Sequence, residues 1–483
     1  MNTKTKVGFI IVYIILAVLI VILGFGEEIW LDESFSIHMM DHSLDEIIHF
    51  TSIDVHPPLY YFILKLFVFV AGKHMIVYRI ASIIPFLVMI LIVGLFTTKE
   101  INSKAGILSM VIMCAAPSIL IYSTEIRMYS WCELFVVCSV IIAYKLARKD
   151  NTILWVLFCI VNALAAYTHY FAGMAVMIVA ICLIINILIT KVDVKKRALK
   201  WLIANVGTVI IYIPWLAVFF SQLESVREDY WIEAFTFEDL GEYAEFVFGD
   251  FSGFVAIIYA LIVCAAIVLL IIRRKKIKTF KFAILNLIVF FGYILGGVLL
   301  SIIITPVFIE RYIAVVIPCL WLFVVFTFLG EEDNKIDIAT AIIGVLLLIY
   351  NYYGEFRWKY IDKNSTIYDS MKNEVKDDDI IFHDNAHSLS VLSVYEPKNE
   401  AVITEEYLSA EKFQEWHELS PNIDVQKEIN IPEDKTVWVI LKEDDTSILD
   451  YLASKGYKIE ERCEGTLPAY KDLLPYVLYK CYC

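Results

Sequence analysis

Long runs of apolar residues, separated by short polar linkers, make up most of the chain as far as residue 353. A helix needs roughly 20 apolar residues to cross about 30 Å of hydrocarbon, and many of these runs approach or exceed that length. The pattern therefore predicts a polytopic α-helical membrane protein. The clearest runs are residues 7–23, 107–120, 174–189, 254–272 and 283–304.

The composition of the chain agrees with this pattern. Of its 483 residues, 59% are hydrophobic, and the mean hydropathy is +0.70. Soluble chains are nearer half apolar, so a soluble domain could not bury this much apolar surface. The first run follows Lys4 and Lys6, but no small-x-small cleavage site comes after it. We therefore expect an uncleaved first span rather than a signal peptide.

The basic linkers set the predicted topology, because linkers rich in Lys and Arg stay in the cytoplasm. Residues 191–200 contain five Lys or Arg, residues 273–281 contain six, and residues 145–149 form a weaker third cluster. The linker 221–250 is the opposite, since Arg227 is its only basic residue among nine acidic ones. The three basic linkers are therefore predicted inside, and the acidic linker outside.

This constraint decides how residues 58–71 are interpreted. The segment is apolar, but as a helix it spans only about 21 Å. If it crossed the membrane, every later span would invert and the basic linkers would face outward. We therefore predict a re-entrant or interfacial helix on the outer face, an inside N-terminus and an outside C-terminus. The 11 predicted crossings are residues 6–24, 78–97, 105–122, 128–147, 152–168, 170–190, 200–220, 253–272, 281–304, 312–330 and 336–353.

The composition changes after Tyr353, where the chain becomes polar, acidic and punctuated by turn residues. Two domains are predicted: a transmembrane module over residues 1–354 and a small extracytoplasmic α/β domain over residues 355–483. A helix is expected at 447–455, ended by Gly456. Short runs rich in β-formers predict strands at 379–382, 390–394, 436–441 and 476–479.

On this topology, polar residues gather at the outer face of the membrane. Ionisable residues at the edge of a bilayer are costly unless they are paired or functional. The polar residues at the predicted outer face are Asp32 and Glu33 after the first span, Asp54 and His56 before the interfacial helix, Glu125 and Arg127, His169, and Arg311 with Tyr312.

The combination suggests transfer of a sugar from a lipid-linked sugar phosphate. The anionic leaving group needs cations beside it, which His56, Arg127 and Arg311 could supply. An incoming hydroxyl needs a base, for which Asp32 is the candidate. The sequence has no CxxC pair or Cys/His metal spacing, so no metal or other cofactor is assigned. A divalent metal ion stays open, but a phosphate monoester leaving group does not require one.

Each motif also has a simpler interpretation when it is taken alone. An adjacent Asp-Glu pair after a first span is more often a solvated loop, and Glu-x-Arg at a helix end is usually an ion pair or cap. His56-Pro57-Pro58 could serve as a rigid helix start, because proline is favoured in the first turn. A lone histidine such as His169 is more often structural. The functional interpretation therefore depends on two observations taken together: all the motifs lie at the same predicted face of the membrane, and they occur in a particular order along the chain.

The order of the motifs resembles a known family. It runs Trp30-Leu31-Asp32-Glu33, Asp54-Val55-His56-Pro57-Pro58-Leu59-Tyr60-Tyr61, Tyr78-Arg79-Ile80-Ala81-Ser82, Tyr122-Ser123-Thr124-Glu125-Ile126-Arg127-Met128-Tyr129-Ser130, Tyr167-Thr168-His169-Tyr170 and Arg311-Tyr312. This series resembles bacterial members of the protein O-mannosyltransferase-like superfamily, which includes the lipid A aminoarabinose transferase. The resemblance covers about the first 330 residues.

The resemblance implies a GT-C fold, a polyprenyl- or dolichyl-phosphate sugar donor and inversion at the anomeric carbon. Asp32 matches the position proposed as the base in this family, and Glu33 completes the acidic pair. Arg127 matches an important arginine of the mannosyltransferases. His56 stands where the aminoarabinose transferases have a lysine before Pro-Pro, which implies a donor-phosphate contact whose charge depends on pH.

The function expected from the sequence is therefore an inverting hexosyl or pentosyl transferase in the plasma membrane, with its site and C-terminal domain outside. Its partners would be the lipid-linked donor, membrane lipid, and a cell-wall polymer, lipid or protein acceptor, with no nucleic acid. The alternative is a transporter or flippase of lipid-linked sugars. Such proteins tend to have internal repeats and midplane charges, and neither is evident in the sequence.

Overall fold

The computed structural model describes residues 3–26, 28–228, 232–250, 252–277, 279–330, 334–362, 364–408, 419–432, 434–442, 446–470 and 472–483. Parts of two linkers used for the topology, Lys278 and residues 229–231, lie outside these residues. The chain divides into two compact units. The first comprises Met1–Phe25 and Leu44–Glu355, and the second comprises Gly26–Ser43 and Phe356–Cys483. The domain limits expected from composition stay a prediction.

Helices account for almost all regular structure before the C-terminal region. All of them except α2 lie wholly or mainly in the first unit, and a 3-10 helix, Glu310–Val316, leads into α15. The helices are α1 (Thr3–Leu23), α2 (Leu31–His38), α3 (Leu44–Ile53), α4 (Leu59–Ala71), α5 (Met75–Glu100), α6 (Ser103–Ala115), α7 (Pro117–Tyr122), α8 (Tyr129–Arg148), α9 (Thr152–Thr168), α10 (Tyr170–Thr190), α11 (Val194–Glu228), α12 (Asp239–Phe248), α13 (Phe254–Arg273), α14 (Phe280–Ile303), α15 (Ile317–Phe328) and α16 (Asn334–Tyr360).

The first unit contains the predicted membrane helices. In the described part of the chain, nine helices are long and apolar enough to cross a bilayer. The shorter apolar helices α6 and α9 coincide with the two remaining predicted crossings, and α4 coincides with the predicted interfacial segment. Pro117 begins α7 and separates it from α6, since proline suits the first turn of a helix. The prediction of a polytopic helical protein is confirmed, whereas the number of crossings and their orientation stay predictions.

Burial separates inner helices from outer ones. In the most apolar stretch of α8, 78% of the residues are buried, and in that of Glu310–Phe328 the share is 89%. In the corresponding stretch of Val194–Arg227 only 11% are buried. A helix that is apolar all round and exposed on the protein surface suits contact with lipid. Two of the polar motifs lie at the start of the inner helices: Arg127 precedes α8, and Arg311 lies in the segment before α15.

The second unit is built on a six-stranded mixed sheet with the strand order β3-β2-β1-β4-β6-β5. The first four strands pair in parallel, and β6 pairs antiparallel with β4 and β5. The helices α17 (Thr366–Met371), α18 (Ala386–Tyr395) and α19 (Ser447–Ser454) accompany the sheet. The strands are β1 (Ile380–His383), β2 (Glu400–Thr404), β3 (Ile423–Gln426), β4 (Val437–Leu441), β5 (Lys458–Pro468) and β6 (Leu473–Tyr482).

Both faces of the central strands are covered. Phe382 and Val439 belong to one apolar cluster, and Ile381 and Trp438 belong to another on the opposite face. Strands buried on both faces carry continuous apolar runs, which explains why β1 and β4 were evident from the sequence. The predicted α/β tail is confirmed, and its helix ends before Gly456, whose φ is 90°.

The strand predicted at residues 390–394 is wrong. These residues lie in α18, which begins where the Asn385 side chain accepts a hydrogen bond from the Ser388 amide. A short apolar run does not distinguish a buried strand from a buried helix, and the decisive signal is the N-cap asparagine. This correction matters for the site, because α18 packs against α2.

The second unit is expected to lose stability in mild acid because of His38. Burial lowers the pKa of His38 from 6.5 to about 4, although its hydrogen bond to the Ser390 carbonyl and the charge of Asp41 act in the opposite direction, and the nearby His42 adds to the lowering. Between these values the unfolded chain binds a proton that the folded chain excludes. The stabilising contribution of neutral His38 is therefore fully present above pH 6.5, and the free energy of unfolding falls by about 2 kcal/mol between pH 6.5 and 5.

Thermal unfolding of the detergent-solubilised protein at pH 7 and pH 5 measures this effect. The variant His38→Gln is the control, because glutamine still donates a hydrogen bond but does not titrate. We expect a smaller drop in Tm for the variant than for the wild type. Equal drops in the two proteins would exclude His38 as the source.

Candidate active site

The loop between α3 and α4 carries the first pair of candidate residues. His56 is 7% exposed, and its Nδ1 lies 3.0 Å from Asp54 Oδ2. Burial opposes ionisation of Asp54, but the charge of His56 and its hydrogen bond prevail and lower the Asp54 pKa. Because a carboxylate only accepts, His56 Nδ1 donates this bond. Asp54 therefore fixes the orientation of the His56 ring.

The segment between α7 and α8 carries Arg127, which is 3% exposed. Its Nη1 donates to the Tyr61 hydroxyl of α4 at 3.4 Å, and its carbonyl accepts from Ser82 Oγ of α5 at 3.2 Å. Arg79 of α5 holds the same segment through the Thr124 carbonyl at 3.0 Å. The guanidinium is thus held by a bond to α4, and its backbone segment by bonds from α5.

Three further candidates follow: Glu125 is close to Arg127 in sequence, and Arg311 and Tyr312 lie in the segment before α15. Glu125 is 8% exposed and stands two residues before Arg127. Arg311 and Tyr312 lie in the 3-10 helix Glu310–Val316, where the carbonyl of Tyr312 accepts from the Tyr293 hydroxyl at 2.7 Å. That bond ties the start of the inner span to α14.

His169 lies between α9 and α10 and is 3% exposed. Its Nδ1 accepts a hydrogen bond from the Phe171 amide at 3.1 Å and so caps α10. In the neutral ring the proton is therefore on Nε2, which has no hydrogen-bond partner within the described chain. Burial, followed by the charges of His56, Arg127 and Arg311, lowers the His169 pKa well below its ordinary value. His169 thus presents a neutral, buried Nε2–H donor.

These residues form one cluster in the first unit. The His169 ring centre lies 5.3 Å from that of His56 and 4.9 Å from that of Tyr312. Arg127 and Arg311 are close enough to perturb the pKa of His169, and Arg127 perturbs that of Asp54 as well. The structure therefore brings together six of the predicted residues, which we call the cationic cluster: Asp54, His56, Arg127, His169, Arg311 and Tyr312.

The cationic cluster has the chemistry of a phosphate site. It contains two guanidinium groups, and arginine binds phosphate oxygens in a bidentate manner. His169 adds a hydrogen-bond donor that carries no charge. Charge-assisted bonds of this kind are stronger in surroundings that exclude water.

Asp32 and Glu33 lie in the second unit, in the first turn of α2. Glu33 is 3% exposed, and Asp32 is half-buried. Acidic side chains are favourable at this end of a helix because they oppose the helix dipole. The Asp32 carbonyl accepts from Ser36 Oγ at 3.0 Å, which closes the helical turn.

The sequence analysis missed Gln222, which holds the loop that carries Asp54. Its Nε2 donates to the carbonyls of Thr51 at 2.7 Å and Ser52 at 3.1 Å, and also to that of Asp54. Gln222 lies near the end of α11, and its amide side chain after an apolar run was the available signal. Tyr61, Arg79 and Ser82 were visible in the quoted motifs, but nothing in the sequence showed their bonds.

Replacing Gln222 with Leu should lower sugar transfer about 10-fold or more, because each buried carbonyl that loses its donor costs roughly 1–3 kcal/mol. The loop around Asp54 would relax and misplace His56. The matched control is Asn205→Leu on the same helix, where the amide donates to the Trp201 carbonyl one turn away. Transfer rates per folded protein should fall for the first variant alone, and equal rates would count against a role for Gln222.

The region that carries the cluster matches a known family. Residues 55–217 match the model of the dolichyl-phosphate-mannose-protein mannosyltransferase family, and this stretch includes His56, Arg127 and His169. The match and the fold confirm the resemblance found in the motifs. The matched stretch is about a third of the chain, and together with the helical architecture it indicates a multi-pass membrane protein with a GT-C fold.

Two solved structures share the fold over nearly the whole chain. ArnT from Cupriavidus metallidurans in the apo state has a TM-score of 0.64 and 10% identity, with 98% of each chain covered. The same protein bound to undecaprenyl phosphate has a TM-score of 0.63 and 11% identity, with 99% of this chain and 98% of that chain covered. At this identity the likeness shows a shared fold. No curated protein sequence matches the chain significantly.

Proposed function

We propose that the protein transfers a sugar from a polyprenyl-phosphate donor to a hydroxyl group at the outer face of the plasma membrane. The observation that carries the proposal is the cationic cluster, in which buried Arg127, half-buried Arg311 and His56 lie near His169, whose Nε2–H has no hydrogen-bond partner in the described part of the chain. The guanidinium groups and the His169 N–H are donors that suit the oxygens of an anionic ligand. A phosphate monoester at the end of a membrane lipid fits both the charge and the apolar setting.

Two relatives support this donor. The matched family is named for transfer from dolichyl-phosphate-mannose, and one structure of the ArnT fold was solved with undecaprenyl phosphate. Both lipids carry a single phosphate on a polyprenyl chain. We propose the same donor class for this chain, with the sugar left open between hexose and pentose.

In the proposed reaction, the acceptor oxygen attacks the anomeric carbon while the bond from that carbon to the phosphate oxygen breaks. Asp32 takes the proton of the acceptor hydroxyl, with Glu33 beside it. The electron pair leaves with the phosphate, where Arg127, Arg311 and the His169 Nε2–H bind the departing charge. His56, oriented by Asp54, completes the group of side chains around the phosphate. Attack from the face opposite the leaving group inverts the anomeric configuration.

Donors aimed at charge that develops in the transition state contribute more than those that bind substrate alone. His169 suits this role because its proton position is fixed by the cap on α10, so no reorganisation is needed during reaction. Arg311 and Tyr312 lie beside it at the start of the inner span. Glu125, in the Arg127 segment, completes the proposed substrate-binding set. The acceptor is proposed to be a cell-wall polymer, a lipid or a protein.

A transfer assay tests the proposal. The purified protein in nanodiscs would be supplied with a panel of radiolabelled polyprenyl-phosphate sugars and with cell-wall, lipid and protein acceptors. We expect label to reach at least one acceptor class, with the anomeric configuration inverted. A folded protein that neither transfers nor hydrolyses any donor would contradict the proposal. Movement of intact donor across vesicles under the same conditions would favour a transporter.

A further inference from the structure

The acidic pair is separated from the C-terminal region by more than 300 residues in sequence, yet Gly26–Ser43 and Phe356–Cys483 form one compact unit. Helix α2, which carries Asp32 and Glu33, packs against α18 of that unit. We infer that α18 positions α2 for catalysis, so that Ser390 and Tyr395 are positioning residues of the reaction. This inference rests on the proposed function, because it assigns the C-terminal unit a role through Asp32.

Contacts hold the chain on the N-terminal side of Asp32. The Ile29 amide, three residues before Asp32, donates to the Tyr395 hydroxyl at 3.0 Å. The next residue, Trp30, lies with its ring centre 5.3 Å from that of Tyr470. Tyr395 ends α18 and its ring stacks on that of Tyr368 at 4.4 Å, so the hydroxyl that receives Ile29 is itself held in place.

Contacts also hold the chain on the C-terminal side. Ser34 Oγ lies 2.6 Å from Ser390 Oγ, and both residues are fully buried. Ser34 already donates its proton to the Leu31 carbonyl at 2.7 Å, so Ser390 is the donor of the bond between the two hydroxyls. One turn further on, His38 Nε2 donates to the Ser390 carbonyl at 3.1 Å. Ser390 therefore contacts α2 with both its side chain and its backbone.

The helix needs this support. An eight-residue helix is too short to be stable alone in water, so neighbouring structure must fix its position. Displacing a base by about 1 Å can lower the rate by about 100-fold, so the rate should depend strongly on the position of Asp32. The bonds from α18 reach α2 two residues after Asp32 and the preceding chain three residues before it. The C-terminal unit is thus a platform for the catalytic segment.

Ser390→Val and Ser390→Thr test the inference. Both variants add volume at one buried position, and only threonine keeps the hydroxyl that donates to Ser34. We expect Ser390→Val to lower kcat about 10-fold or more and Ser390→Thr to restore most of it. The matched control is Ser454→Val on α19, an exposed serine that bonds only the Tyr451 carbonyl. Valine and threonine variants with equal kcat would overturn the inference.

A double-variant experiment distinguishes a positioning role of Ser390 from a purely structural one. In an Asp32→Asn background, a residue that acts through Asp32 has nothing left to position, so Ser390→Val should not lower the residual rate further. A purely structural role would lower that rate by the same factor as in the wild type, and would overturn the inference. Tyr395→Phe, which removes one oxygen, should show the same pattern. Full activity of Asp32→Asn itself would refute the proposed base instead.

Discussion

Replacing Asp32 with Asn should nearly abolish sugar transfer while leaving the amount of folded protein in the membrane unchanged. Asparagine has nearly the shape of aspartate, and the loss of one charge in the first turn of a helix costs only about 0.3–1 kcal/mol, so α2 should keep its place. It cannot take a proton from the acceptor. Loss of a general base lowers rates by about 100- to 10,000-fold. Radiolabel transfer, corrected for folded protein by size-exclusion chromatography, measures the effect.

The matched control for this variant is Asp45→Asn. Asp45 is an exposed aspartate in the first turn of α3, just as Asp32 is in the first turn of α2. It should transfer sugar at the wild-type rate. Wild-type transfer by Asp32→Asn would remove Asp32 from the role of base, whatever the result for the cationic cluster.

The second large effect is expected for Arg127→Ala. A buried cation that binds a phosphate is worth about 2–5 kcal/mol when one partner is removed, so kcat/KM for the donor should fall at least about 30-fold. Much of the loss should be seen as a higher KM for the donor. Arg127→Lys should recover only part of the loss, because lysine keeps the charge but lacks the planar, bidentate geometry.

Two variants control for indirect effects of Arg127→Ala. Tyr61→Phe removes the hydroxyl that Arg127 contacts and leaves the cation in place, so it should change donor use much less. Arg148→Ala removes an exposed arginine at the other end of α8, where it pairs with Glu100, and should have no effect on transfer. An unchanged donor dependence in Arg127→Ala would exclude this residue from the phosphate site.

The membrane architecture could be predicted because it depends on local properties of the sequence. Apolar length identifies spans, and most predicted crossings lie within a few residues of the observed helices. The C-terminal strands β1 and β4 were equally clear, since they are apolar runs buried on both faces. The segment 390–394 was misassigned because its length and composition suit a helix or a strand. Only the capping bond at Asn385 distinguishes the two.

The residues of the cationic cluster could be named from the sequence, but the hydrogen bonds that place them could not. The order of motifs identified His56, Arg127 and His169, and the structure places them together. Nothing in the sequence showed that the Phe171 amide fixes the His169 proton on Nε2. The role of Gln222 was equally hidden, because its partners are backbone carbonyls about 170 residues away in sequence. Bonds of this kind are decided by tertiary packing.

The grouping of the acidic pair with the C-terminal unit was also beyond the sequence. Composition separates the tail from the membrane helices at about residue 354, and it places Asp32 in a loop after the first span. The bond between Ser34 and Ser390 joins residues 356 positions apart. Serine pairs carry no pattern that would predict such a contact, so only the folded chain shows that α2 belongs with α18.

The most direct test of the central claim uses a donor labelled with tritium in the sugar and with ³²P in the phosphate. We expect tritium to reach the acceptor while ³²P stays with the polyprenyl lipid, and we expect Asp32→Asn to stop the transfer of tritium. Transfer of both labels together would show that the phosphate moves with the sugar. That result would contradict cleavage between the anomeric carbon and the phosphate oxygen, on which the whole account rests.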